Sequence, residues 1–175
     1  MKVDFPRRIG RLVVILALVS GVCSAQTFTG AGFSFDLPRG WYGGKLDQEK
    51  LEYAFCPVPR SPSDGRLSVQ SFPARNRTLR GLVMQARHAV YMELDGYVLE
   101  EKALKLDGAP AVELRYRVGG SLKDEIFCRV MSLHNDRLYI IQTVFPAEDE
   151  SQALSKILRT FRWGDEKETI GYHEY

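Results

Sequence analysis

The chain predicts an α/β protein of the α+β sandwich kind: a mostly antiparallel sheet of about six or seven strands with helices packed on it. Three features carry that expectation. Apolar and polar residues alternate in several short runs, two segments switch to helical spacing, and the later separators are short and rich in Gly, Asn and Asp. The resulting order is βββαββββα, with no internal repeat.

Ala31, Phe33, Phe35 and Leu37 alternate with Gly32, Ser34 and Asp36, the period-2 pattern of a half-buried strand that ends at Pro38. Leu51, Tyr53 and Phe55 repeat the pattern up to Cys56. The segment CPVPRSPSDG, with three prolines and a closing Asp-Gly, then breaks the sheet before a short strand over Arg66–Phe72. From Thr78 the period changes: Leu79, Leu82, Val83, Ala86 and Val90 form one stripe of a helix that ends near Tyr91 or Met92. Asn76 and Thr78 are its candidate caps.

Four strand-like runs follow, Tyr97–Leu106, Ala111–Val118, Glu125–Leu133 and Leu138–Phe145. Their separators DGAP, GGSLKD and HNDR suit a meander of hairpins. The segment PAEDESQALSKILRTF reads as a last helix. Glu148, Asp149 and Glu150 favour its N-terminus, and Leu154, Ile157, Leu158 and Phe161 form its buried stripe. Residues 164–175 lack periodicity and read as a flexible tail.

Before the first strand stand Lys2, Arg7, Arg8 and Arg11, an apolar run from Leu12 to Val22, and the sequence CSAQ. This is the pattern of an export signal, residues 1–25, and the run is about half the length of a spanning helix. Small residues at Cys23 and Ala25 fit cleavage that releases Gln26. Cys23 also invites a lipid anchor, but Val22 stands where a lipobox wants a small residue, so lipidation is the disfavoured alternative. The expected address is periplasmic or extracellular, with a single domain over residues 26–163.

The formal charge of +2 belongs to that leader. Of 24 basic and 22 acidic residues, four and one lie in residues 1–25, leaving 20 against 21. A balance near −1 gives no footprint for nucleic acid. Cys56 and Cys128 are the cysteines left after cleavage. An oxidising compartment admits one disulfide between them, or two separate buried thiols.

The composition offers little for catalysis or metals. His88, His134 and His173 lack metal-ligand spacing, no Gly-x-Ser-x-Gly or phosphate-cradling glycine loop occurs, and the acids of AEDE suit a helix start. No catalytic residue, cofactor or metal ligand is assigned.

The segments FSFDLPRGW, LDGAPAVELRY and LYIIQTVFP with ILRTFRW, in that order, resemble the PsbP-like family in its broad sense. That group includes the Mog-type import factor and DcrB-like exported lipoproteins. The likeness runs from Gly30 to Trp163. It implies the sandwich fold and no chemistry, since such proteins serve as accessory subunits, partner-binding factors or chaperones. It makes Leu37 and Trp41 packing residues and Pro38 and Gly40 punctuation of the turn leaving the first strand. The expectation is an exported, non-catalytic binding or accessory protein of the cell envelope. The alternative is a small-molecule or metal-binding protein using a groove near Trp41 and the loop of residues 58–65. Trp41, Tyr42 and Arg60 are the candidate contacts.

Overall fold

A computed structural model describes residues 26–47, 52–57, 66–119, 125–146 and 152–164. The expected leader 1–25, Leu51 of the expected second strand, the segment 58–65 with Arg60, the acids Glu148–Glu150 and residues 165–175 lie outside the described residues.

The chain begins with β1 (Thr27–Gly30) and β2 (Phe33–Asp36), then β3 (Trp41–Asp47), β4 (Glu52–Pro57) and β5 (Arg66–Pro73). Helix α1 (Leu79–Met92) follows, then β6 (Tyr97–Leu106), β7 (Ala109–Arg117), β8 (Glu125–His134) and β9 (Arg137–Pro146). Helix α2 (Gln152–Thr160) and β10 (Arg162–Trp163) close it. A seven-stranded antiparallel sheet has the order β3-β4-β5-β9-β8-β7-β6, and a three-stranded one has the order β1-β2-β10. The sandwich fold class and its seven-stranded sheet agree with the sequence expectation.

Turn chemistry sets the register of the meander. Asp107 and Gly108 between β6 and β7, and Asn135 and Asp136 between β8 and β9, all take positive φ. That is the backbone of two-residue hairpins whose twist matches the strands. Helix α1 starts where Thr78, not Asn76, accepts the Gly81 amide at 3.2 Å.

Because directly paired residues share a face, the registers sort the side chains of the large sheet into two sets. On one face Leu114, Tyr116, Met131 and Leu138 meet Leu82, Val83, Ala86 and Val90 of α1. On the other, Tyr53, Phe55, Leu67, Val69, Val130, Tyr139 and Ile141 meet Phe33, Phe35 and Leu37 of the small sheet and its exit. Leu154, Ile157 and Phe161 of the C-terminal segment complete that core. The molecule thus has α1, then the large sheet, then the small sheet with α2.

Three strands depart from the sequence expectation. Strand β1, only four residues long, hairpins onto β2 through Ala31 and Gly32, expected inside the first strand but forming its turn, with Gly32 at a φ of +80°. The two residues of β10 pair with Ser34 and Phe33. Both are too short to show a period. Trp41–Gly44, assigned to no strand in the sequence, opens β3, an edge of the large sheet, while Trp41 packs on the core as expected. Its two glycines hide any alternation, and Gly43 lies so close to β4 that a Cβ would strike the Ala54 carbonyl oxygen.

Of the two alternatives for the cysteines, the separate thiols are the one found: Cys56 and Cys128 are free, Cys128 buried and Cys56 half-buried. Cys128 pairs with Thr143, Thr143 with Leu67 and Leu67 with Phe55. Cys56, next to Phe55, therefore points to the opposite face, and β5 and β9 lie between the two strands. Three strand spacings amount to roughly 14 Å, about twice the Cα separation that a disulfide spans.

Candidate functional site

The sequence PRGW builds a corner. The Trp41 amide donates to the Pro38 carbonyl at 3.1 Å, and Gly40 supplies the φ of +76° that the third residue of such a turn needs. The corner carries the chain from the small sheet to the edge of the large one. Helix α2 is bound beside it. The Thr160 hydroxyl accepts the Asp36 amide at 3.0 Å and donates to the Lys156 carbonyl at 3.0 Å, while Lys156 Nζ donates to the Leu37 carbonyl at 3.3 Å.

Between corner and helix lies a groove of about 750 Å³, walled by Pro38 and Trp41 on one side and by Lys156, Arg159 and Thr160 on the other, with Arg39 at the turn. Trp41 is half-buried and packs against the aromatic core.

Tyr42, its neighbour in β3, points the other way and is 47% exposed. With its register partner Cys56 it borders a separate trough of about 520 Å³ floored by the small residues Gly44, Ala54 and Ser68. The candidates Trp41 and Tyr42 therefore belong to two different surfaces, as strand alternation requires. Arg60 lies outside the described residues.

Cys128 sits in the core, 3% exposed, and its thiol donates to Glu113 Oε1 at 3.3 Å. The same oxygen accepts Arg115 Nε at 2.7 Å. Burial first, and then the neighbouring carboxylate, push the Cys128 thiol well above the usual thiol range. The hydrogen bond to Glu113 holds the Arg115 guanidinium firmly protonated. A neutral thiol facing a carboxylate engaged by arginine is neither nucleophile nor free base, and the trio works as a polar clamp inside the sheet. Among the described residues no group of three or more His, Cys, Asp or Glu side chains could hold a metal ion. No described helix is long and apolar enough to cross a membrane.

Two surfaces lie beyond the sequence candidates. At the corner from α1 into β6, Tyr91, Met92, Leu94, Tyr97 and Leu99 are all exposed large apolar residues, Met92 at 70%. Glu93 and Asp95, also exposed, stand between them. The signal was present as YMELDGYVL, a run that keeps neither helical nor strand phase and so buries no consistent face. The other surface is the basic wall of the Trp41 groove. Arg39 and the pair Lys156 and Arg159 are more than a hundred residues apart in sequence, and only the topology unites them.

These features, a seven-stranded antiparallel sheet between one helix and a small sheet closed by both chain ends, define the PsbP-like fold. Cyanobacterial PsbP from Synechocystis is similar over 83% of this chain and 96% of its own, with a TM-score of 0.61 and 17% identity. LpqN of Mycobacterium tuberculosis, a protein involved in cell envelope biogenesis, is similar over 75% of this chain and 83% of its own, with a TM-score of 0.53 and 11% identity. A Bacteroides thetaiotaomicron protein matches 81% of this chain at a TM-score of 0.55 and 9% identity, and the chain spans about half of that protein's length. No protein-family model matches the sequence, nor does any curated protein.

Proposed function

We propose that this is a non-catalytic binding or accessory protein of the bacterial cell envelope, exported by residues 1–25 and released at Gln26. The observation that carries the reading is the exposed apolar corner of Tyr91, Met92, Leu94, Tyr97 and Leu99. Five exposed large apolar side chains within nine residues of sequence on a small domain are a mark of protein docking. With Glu93 and Asp95 interleaved, it suits a partner segment that carries apolar side chains flanked by Lys or Arg. The similarity to LpqN and to cyanobacterial PsbP supports an extracytoplasmic accessory role, and the reactive-looking Cys128 and Glu113 are engaged in the core.

The test is crosslinking capture from envelope extracts with the native chain beside Met92→Asp and Leu99→Asp variants, both on exposed side chains that leave the core intact. One partner captured by the native chain and lost with both variants supports the reading. A partner retained by both, or an intact mass showing a diacylglyceryl group on Cys23, overturns the docking site and the cleavage site respectively.

A further inference from the structure

The groove beside Trp41 holds a charge arrangement that folding does not explain. The cations with described ion pairs tie segments of the chain together: Arg87 of α1 meets Glu101 of β6 at 3.3 Å, Arg115 of β7 meets Glu100 of β6 at 3.7 Å, and Arg162 of β10 lies 3.9 Å from Asp107. Arg39, Lys156 and Arg159 meet no carboxylate among the described residues, yet all three border one groove. Lys156 is held in place by the Leu37 carbonyl, which occupies one of its three N–H donors and leaves two for another acceptor. Arg159 follows Lys156 by three residues, so the two side chains stand on neighbouring rows of the same helix face. Arg39 approaches from the turn. The sequence balance without residues 1–25 is close to neutral, so three positive charges around one concavity, with no carboxylate partner among the described residues, are a local concentration and not a consequence of an overall basic surface.

The opposite wall is apolar. Pro38 and the half-buried Trp41 ring offer a flat, rigid surface, and the Ser155 hydroxyl and Gln152 amide complete the rim. A cluster of arginine and lysine donors matches the several oxygens of a phosphate, and an aromatic ring next to it accepts a ring or acyl portion. We propose that this groove binds a phosphate ester, with the phosphate held by Arg39, Lys156 and Arg159 and the organic portion laid against Trp41. This goes beyond the docking corner on α1 and β6, uses none of its residues, and stands or falls independently of it.

The chain has two tryptophans, so Trp163→Phe leaves Trp41 as the sole indole reporter. In that background, titration with phenyl phosphate should change Trp41 emission with a submillimolar midpoint, and inorganic phosphate should compete. Phenol, which has the ring without the charge, should not bind. Lys156→Glu and Arg159→Glu should each weaken phenyl phosphate about tenfold or more, the size of one lost charge-assisted contact. Added salt should weaken it further. Phosphatidylcholine vesicles with and without phosphatidic acid separate the two sources of the ester. Charge-dependent binding to the acidic vesicles names a lipid headgroup, and binding of phenyl phosphate without vesicle binding names a soluble ester. Phenol binding as tightly as phenyl phosphate, unchanged titrations in both charge-reversal variants, or no response in any arm would overturn the proposal.

Discussion

The two faces of the seven-stranded sheet are covered by different means. One receives a single local helix, α1, whose aliphatic stripe seats on Leu114, Met131 and Leu138. The other receives an aromatic layer drawn from both ends of the chain: Phe33 stacks on Phe161 with centroids 5.7 Å apart, Phe28 meets Phe55 edge-on at 4.8 Å, and the Ala31 amide donates to the Tyr53 hydroxyl at 3.0 Å. The helical cover is contiguous in sequence and needs only its own stripe. The aromatic cover is complete only when segments more than a hundred residues apart meet, as Phe33 and Phe161 do, so a defect there should loosen both segments together.

The largest expected effect is therefore Phe161→Ala. Phe161 is fully buried, and its loss should cost about 4 kcal/mol, read as a lower urea midpoint. If the ends form one unit, hydrogen exchange in β1 and β2 should rise as much as in α2; protection of β1 unchanged from native would break the comparison. Leu82→Ala on the helical face should cost less, about 2–3 kcal/mol, with exchange raised in α1 and little altered in β1.

A third expectation concerns the polar clamp on the aromatic side. Glu113→Gln removes the charge that Arg115 Nε and the Cys128 thiol both meet. Because Arg115 is 37% exposed it can turn to water, so the loss should be about 2 kcal/mol in chemical denaturation. A variant as stable as the native chain would show that the carboxylate contributes nothing there.

The smallest effect is read in alkali. Cys128 has a raised pKa in the folded chain, so the native state holds its proton where the unfolded chain gives it up. That contribution is fully present below the ordinary thiol range, about 8.5, and is lost as pH rises above it. Near pH 9.5 the native chain should have lost about 1 kcal/mol that Cys128→Val keeps. Thiol reagent should label the half-buried Cys56 first and Cys128 only on unfolding. Equal labelling of both in the native state would contradict this.

How far the sequence could be read follows from the same contrast. Helix α1 and strands β7, β8 and β9 are legible because each has a long, regular period and is bounded by residues that form turns with positive φ. Strands β1, β3 and β10 are not, since four residues, a Gly-Gly pair and two residues carry too little pattern. Trp41 could be picked out as an aromatic beside a turn. Arg39, Lys156 and Arg159 could not, because nothing local distinguishes a cation that lacks a partner from one that has found it. Whether Cys56 pairs with Cys128 stays open in the sequence for a related reason. Both lie in strands, but which face and which neighbour each strand has are properties of the whole sheet.

Strand β10 is only Arg162 and Trp163, yet it is joined to β2, and the Trp163 indole donates to the Leu106 carbonyl at 2.9 Å while stacking on His134 at 4.3 Å. Its kinetic meaning is larger than its length. Phe33 and Phe35 can meet Tyr53 and Phe55 early, but their stacking on Phe161 waits until almost the last described residues have been made. Loop closure over such a span comes late and slowly. The meander and α1 can form without it, so the chain should pass through a state with one face of the sheet finished and the other open. That interval is when its aromatic residues are available to a chaperone, and when a chain cut short before Phe161 would remain open for good.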